Sequence, residues 1–416
     1  MTKQNLLSLF VGILSILFVL PSCWVKSSKV NYPYQSTNII QNTTHLSQNM
    51  DNLPKLTLEQ KEANEHLRKF ASCLMLELIK NDQGKNILLS PFGISSILNL
   101  LANGANEQAA QEFTNKMGSD LQTLNSFFYL FGRLMPDCDK QVIFSSSNSI
   151  WFNPVLTPSQ AFADTIKKYF NTEVFVRQLS TKKTQKEINN WCKLQTHHMI
   201  PTFLSEPLDE NNNMFIANAI FFNGEWTEPF DSKNNTWEIF KCFLNNEKRV
   251  EMMHGDEGIF YSRKSNGYLI SIPYGNKTYK FNIFLPNENF SLEEALMDGK
   301  CLSSTKDERC KVIMPKFDLT YEVKNIDEIC KELGIDALFE ANALSKISPK
   351  LSCGNISQKA RIELNETGTK ASAITTAGAF QEFLPPTIIV NRPFIFSITA
   401  TDNDIVLFMG CIYNLG

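Results

Sequence analysis

From Glu366 the chain reads Glu-Thr-Gly-Thr-Lys-Ala-Ser-Ala-Ile-Thr-Thr-Ala-Gly-Ala-Phe to Phe380, a run poor in charge and bulk that closes ahead of Pro385-Pro386. Read with period two, Thr369, Ala371, Ala373, Thr375, Ala377 and Ala379 fall on one face, and Lys370, Ser372, Ile374, Thr376, Gly378 and Phe380 on the other. The first set is small and uncharged, so that face can lie against a packed core while Lys370 meets water. A slip of one residue would bury Lys370, which makes the parity specific. Gly368 stands where the chain must swing, and glycine has the dihedral freedom for it. By itself the run also fits a Thr/Ala-rich surface loop or an edge strand.

Outward from this run, residues 57–80 carry Leu67, Phe70, Leu74 and Leu78 at helical spacing, and 91–101 and 162–170 read as further helices. Strand patterns occupy 142–151, 214–222, 268–273, 279–286, 311–317, 388–398 and 405–413. Helices dominate the first half and strands the second. No linker, repeat or low-complexity break interrupts 55–416, so one large α+β domain is expected there.

Several segments then decide the reading. Asn86-Ile-Leu-Leu-Ser90-Pro91-Phe-Gly-Ile, Asn218-Ala-Ile-Phe-Phe-Asn-Gly-Glu-Trp226-Thr-Glu-Pro229-Phe230-Asp231, Leu333-Gly-Ile-Asp-Ala-Leu-Phe339, Glu366-Thr-Gly368-Thr369-Lys-Ala371, Asn391-Arg-Pro393-Phe394-Ile-Phe and Leu407-Phe-Met-Gly410 follow one another. In order and spacing they resemble the signature segments of the serpin family, over about 56–416. The resemblance implies a single domain with three β-sheets, eight or nine helices and an exposed reactive-centre loop, here about 366–390. It also implies inhibition of serine, and in some members cysteine, endopeptidases as a suicide substrate. The protease cleaves the loop, is held as an acyl-enzyme, and is trapped when the cut loop enters the main sheet as a new strand. A non-inhibitory serpin-fold binding or scaffold protein, whose loop is merely cleaved, is the alternative. The inward positions 369–379 hold no bulky or charged residue, which favours the inhibitor.

By the same resemblance the specificity residue lies sixteen positions after Glu366, at Glu382, so the reactive bond is Glu382-Phe383, with scission after Phe380 or Phe383 as alternatives. Glu366, Gly368, Thr369, Ala371 and Ala373 form the loop hinge. Ser90, Asn218 and Gln358 match the shutter beneath the sheet, where Gly93 replaces a customary Ser and Gln358 stands in place of a frequent His. Trp226 and Lys316 match the breach at the sheet's top, with Lys316 expected to pair with Glu366.

The remaining features bound the function. A net charge of −3, from 40 Lys+Arg against 43 Asp+Glu, argues against broad nucleic-acid binding. Residues 1–22 read as an export signal, Lys3 followed by an apolar stretch to Leu20-Pro21-Ser22 before Cys23. This resembles a bacterial lipoprotein signal with Cys23 as the lipidated residue, although Pro21 is unusual there and an ordinary secretory signal is the alternative. Localisation is therefore expected to be the cell envelope or surface, otherwise extracellular, with membrane contact only through that lipid. Residues 23–54 read as a disordered polar tether. The nine cysteines beyond Cys23 show no CxxC spacing and read as scattered, mostly buried thiols. No G-x-S-x-G, phosphate loop, dinucleotide fingerprint or H-E-x-x-H occurs, and His197-His198 lacks a ligand-spaced partner. Neither an enzyme, a metal nor a cofactor is expected. Lys182, Lys183 and Lys186 read as a solvated face. The expected partner is a target endopeptidase in covalent complex with a monomeric inhibitor.

Overall fold

In the computed structural model, which describes residues 55–415 apart from 171, 257, 298, 350, 352, 354–355 and 369–384, the chain enters its first helix through a capping box. Thr57 and Gln60 exchange side-chain and backbone hydrogen bonds, fixing the start of α1 (Leu58–Asn81), which turns Phe70, Leu74 and Leu78 inward. Helices α2 (Pro91–Gly104), α3 (Glu107–Met117), α4 (Leu121–Tyr129), α5 (Gln160–Phe170) and α6 (Lys182–Gln195) follow, and α7 (Leu292–Leu296) and α8 (Ile326–Glu332) lie later in the chain.

Three sheets carry the strands. The five-stranded sheet runs β12 (Phe317–Val323), β13 (Ile356–Leu364), β4 (Met214–Gly224), β2 (Val142–Phe152) and β3 (Thr172–Val176). The seven-stranded sheet runs β1 (Ile87–Leu89), β16 (Ile405–Ile412), β15 (Phe394–Ala400), β9 (Tyr279–Pro286), β8 (Gly267–Tyr274), β7 (Phe260–Lys264) and β10 (Glu308–Arg309). The four-stranded sheet runs β14 (Thr387–Ile389), β11 (Lys311–Pro315), β6 (Glu247–Gly255) and β5 (Thr236–Lys241).

The five-stranded sheet is covered on both faces, which is why β4 is apolar almost throughout. Met214, Ile216, Ile220 and Phe222 face the main core around α2, while Ala217 and Ala219 face a second cluster in which Ile188, Trp191 and Cys192 of α6 pack with Trp151 and Phe215. β13 alternates strictly, with Ile356, Gln358, Ala360, Ile362 and Leu364 inward.

Two strands expected as continuous are each two strands. The 311–317 pattern divides at Lys316, whose amide bonds to Glu251 as its side chain joins a charged cluster, so β11 and β12 enter different sheets. The 388–398 pattern divides at 391–393, where Pro393 offers no amide to a ladder and the Arg392 guanidinium donates to the Pro286 carbonyl. Cys192, Cys242, Cys310, Cys330 and Cys411 are buried thiols, and Cys73 is exposed. Burial pushes the Cys192 thiol up to about 12.

Candidate functional site

β13 and β4 are parallel neighbours that pair only from Ile356↔Ile216 to Lys359↔Ala219. Above that point β13 continues to Leu364 and β4 to Gly224, but the ladder between them stops. On their far sides both strands are paired all along the opening: β13 with β12 from Gln358 to Leu364, and β4 with β2 along its whole length. The sheet therefore has an opening between two parallel strands, and a segment entering it from the top of β13 runs antiparallel to both.

That segment is already turned toward the opening. After Leu364 the chain reverses through Glu366-Thr367, with Asn365 and Gly368 exchanging backbone hydrogen bonds of 3.0 and 3.2 Å. Gly368 also bridges Glu225 in antiparallel sense, so one residue of a third strand is in place between the neighbours. Only glycine fits: φ is +123°, and a Cβ would stand 2.1 Å from the Gly224 carbonyl oxygen. Trp226 holds both ends of the turn, its amide donating to Thr367 O at 3.1 Å and its indole N–H to Asn365 O at 3.0 Å. The ring itself is fixed by stacking on Tyr274, 4.3 Å between centroids.

Charge fastens the turn from the solvent side. Lys316 Nζ lies 2.9 Å from Glu366 and 2.7 Å from Glu251, and the Asn235 amide donates to both carboxylates, at 2.5 and 2.7 Å. Burial pushes the Glu366 carboxyl up, but hydrogen bonds from Asn235, the backbone and Lys316 outweigh it, and the net shift is downward. The hydrogen bond from Lys316 likewise lowers Glu251. Glu366 thus stays charged at neutral pH, as the cluster requires.

Below the opening the closed rungs carry a polar lock. Gln358 and Asn218 sit opposite one another in register, both fully buried. The Gln358 amide donates to Asn218 Oδ1 and to the Ser90 carbonyl, both at 3.0 Å, and Gln358 Oε1 accepts from the Ser90 amide at 2.7 Å. Asn218 passes the chain on to Asn148 at 2.9 Å, and Asn148 to Ser96 at 3.3 Å. Ser90 Oγ donates to Leu407 O at 2.6 Å and caps α2 by accepting from the Gly93 amide. The two departures noted from sequence belong together: a Cβ at Gly93 would lie 2.2 Å from Asn218 Oδ1 and 2.8 Å from Gln358 Nε2. The missing side chain at 93 makes room for the glutamine–asparagine pair. Separating β13 from β4 would orphan these buried groups at about 1–3 kcal/mol each, which holds the lower rungs shut.

The structure brings Ser90, Asn218 and Gln358 together in one cluster, and Glu366, Gly368, Trp226 and Lys316 in another. Thr369, Ala371, Ala373, Glu382, Phe383 and Cys23 lie outside the described residues. Asn235, Glu251 and Asn148 escaped the sequence reading, because each is an ordinary polar residue in a strand or turn whose role appears only through partners distant in the chain. Among the described residues no group of three or more His, Cys, Asp or Glu could hold a metal, and no helix is long and apolar enough to cross a membrane.

A family model described as "Serpin (serine protease inhibitor)" matches residues 65–415. Glia-derived nexin of Mus musculus is 28% identical over 375 residues, covering 85% of this chain and 93% of its own. Plasminogen activator inhibitor 1 of Sus scrofa is 26% identical over 386 residues, covering 85% and 95%. Among solved structures, that of a thermophilic serpin, tengpin, in the native state superposes at TM-score 0.78 with 27% identity, covering 87% of this chain and 96% of that one.

Proposed function

The chain belongs to the serpin family, and from that premise we propose that it inhibits endopeptidases as a suicide substrate. A protease nucleophile attacks the loop carbonyl, the peptide C–N bond breaks, and the enzyme is left acylated by the N-terminal part of the loop. The freed segment then zips downward between β13 and β4, carrying the protease with it before water completes hydrolysis.

The observation that carries this reading is the agreement of two parities. Continuing the Asn365–Gly368 and Glu225–Gly368 rungs sets Thr369 between Leu364 and Gly224, Ala371 between Ile362 and Phe222, and Ala373 between Ala360 and Ile220. Leu364, Ile362, Ala360, Phe222 and Ile220 are all buried on the core side. The residues delivered to that face are the small, neutral ones, and Lys370 is delivered to the other. Below Ala373 the strand meets the rungs closed by Gln358 and Asn218, so complete insertion requires that lock to open. Backbone hydrogen bonds at ~0.5–1.5 kcal/mol each are offset by ordering at ~1–2 kcal/mol per residue. Burial of the Thr/Ala face and relief of the half-open sheet supply the driving force, so the intact fold is held kinetically.

Glu382-Phe383 is the reactive bond in this proposal, with serine proteases, and cysteine proteases by extension, as targets. Export with lipidation at Cys23 completes it. The experiment is a gel: incubation with chymotrypsin, elastase and a Glu-specific protease yields a band at the summed mass that survives boiling in SDS. A shortened chain beside fully active protease, with no such band, overturns the inhibitor reading in favour of a serpin-fold protein whose loop is only cleaved.

A further inference from the structure

A cavity with about 20 Å³ of room for the centre of a water molecule lies between α1, α2, α4 and the first residues of β16. Most of its wall is apolar, with Phe92, Phe127 and Val406 among the lining side chains. Three polar side chains interrupt that wall. Asn64 and Arg68 stand one turn apart on α1, and Ser95 joins them from α2. Each has hydrogen-bonding capacity to spare. Asn64, 3% exposed, gives its amide to the Asn403 carbonyl at 2.7 Å, which leaves its Oδ1. Arg68 donates from its two terminal nitrogens, to Glu65 and to Ser303, while its Nε is buried with no partner among the described residues. The hydroxyl of Ser95, 2% exposed, has no partner there either. Leaving a buried donor or acceptor unmade costs more than an ordinary hydrogen bond returns, so three such groups around one cavity call for a common partner.

We infer that the cavity is the site of one internal water molecule, which accepts from Arg68 Nε, donates to Asn64 Oδ1 and makes a third bond with the Ser95 hydroxyl. Size and valence both select water. A water needs roughly 10–15 Å³ for its centre and commonly makes about three hydrogen bonds when buried. An anion would face Asn64 Oδ1, an acceptor, and a cation would face the Arg68 guanidinium. An apolar guest would leave all three polar groups orphaned. Only a partner that both donates and accepts satisfies the set. Bonded in this way, the water ties α1 to α2, the helix whose N-cap Ser90 belongs to the lock.

The test has a direct and an energetic arm. Crystals of the protein should show one compact density peak within hydrogen-bonding distance of Asn64 Oδ1, Arg68 Nε and Ser95 Oγ, and xenon under pressure should not enter. No peak, or uptake of xenon, makes the space an apolar void and overturns the inference; density too large for water assigns the site to an organic guest and also overturns it. The energetic arm compares Ser95→Ala with Ser72→Ala, because Ser72 is a comparably buried hydroxyl within α1, also without a partner among the described residues, that does not line the cavity. Removing an unpartnered hydroxyl relieves a desolvation cost, so Ser72→Ala should melt at or above wild type. Ser95→Ala takes a partner from the water and should melt lower than Ser72→Ala by roughly 2 °C or more. Equal shifts in the two variants overturn the inference, since a dry cavity makes the two hydroxyls equivalent.

Discussion

Replacing Gly368 by alanine tests the insertion path at its first rung. A Cβ at this position stands 2.1 Å from the Gly224 carbonyl oxygen and 2.9 Å from both Glu225 Cα and Trp226 N, all backbone atoms, at a φ of +123°. None of these atoms belongs to a flexible side chain that could swing aside, so residue 368 itself must leave the slot. Leaving it forfeits the two Asn365–Gly368 hydrogen bonds and loosens the one from Trp226 to Thr367. At ~0.5–1.5 kcal/mol each, the three together are worth roughly 1.5–4.5 kcal/mol. In the intact protein the hinge can relax outward, so the global fold survives. During insertion residue 368 has to occupy this slot, so the cost falls on the insertion step. At 1.4 kcal/mol per decade, insertion slows by roughly tenfold to a thousandfold. Hydrolysis of the acyl-enzyme does not slow, and the branching shifts from trapping to turnover. The assay titrates residual activity of a trapped protease against inhibitor, with the cleaved and complexed fractions read on an SDS gel. Gly368→Ala should raise the stoichiometry of inhibition about tenfold or more. An unchanged stoichiometry would refute the argument that this slot is on the insertion path.

The other predictions concern the hinge charge, the strand face and the lock. Glu366→Lys sets a cation against Lys316 and strips Asn235 of one of its two carboxylate acceptors, costing the turn roughly 1–3 kcal/mol; native gels and size exclusion should show spontaneous loop insertion or polymers, and unchanged monomer with unchanged inhibition removes the cluster from the account. Acid should loosen the same hinge. Folding lowers the Glu366 and Glu251 carboxyls, so their stabilisation is present above the ordinary glutamate value of about 4.3 and is lost as pH falls below it; the hydrogen-exchange protection of the Thr367 and Gly368 amides, relative to the intrinsic rate at each pH, should fall in that range and stay constant between pH 6 and 8. Ala373→Glu would bury an unpaired carboxylate beside Ala360 and Ile220 at a cost of several kcal/mol, so less than about a tenth of the protease encountered should end in SDS-resistant complex. Gly93→Ser introduces atoms where Asn218 Oδ1 and Gln358 Nε2 already sit, so the intact protein should melt lower and convert faster to an inserted form on warming; a melting midpoint equal to wild type would show that the lock tolerates a side chain there.

The expectation for residues 369–379 rests on one-dimensional information. Alternation of Thr369, Ala371 and Ala373 against Lys370 and Ser372 requires only a period of two. The same signal was present in Ile356-Ser-Gln-Lys-Ala-Arg-Ile-Glu-Leu364, yet its inward Gln358 and Ala360 blurred it, and β13 emerged only in the structure. Lys316 and Pro393 show the opposite limit. An apolar run does not reveal that one side chain or one missing amide sends the chain into another sheet. Gly93 and Gln358 looked like unrelated departures because they are distant in sequence, and their fit is a matter of ångströms at Asn218. Asn235 and Glu251 carried no local signal at all. Their part in holding Glu366 follows from the pairing that sets the start of β5 beside the middle of β6, next to Lys316, which is tertiary information.

The most direct measurement is the melting curve of the protein before and after a single cut in the loop, made with a protease that does not remain bound. Insertion of the freed segment between β13 and β4 predicts that the nicked protein, though one peptide bond poorer, melts higher by roughly 10 °C or more. A nicked protein that melts at or below the intact one would contradict the central claim.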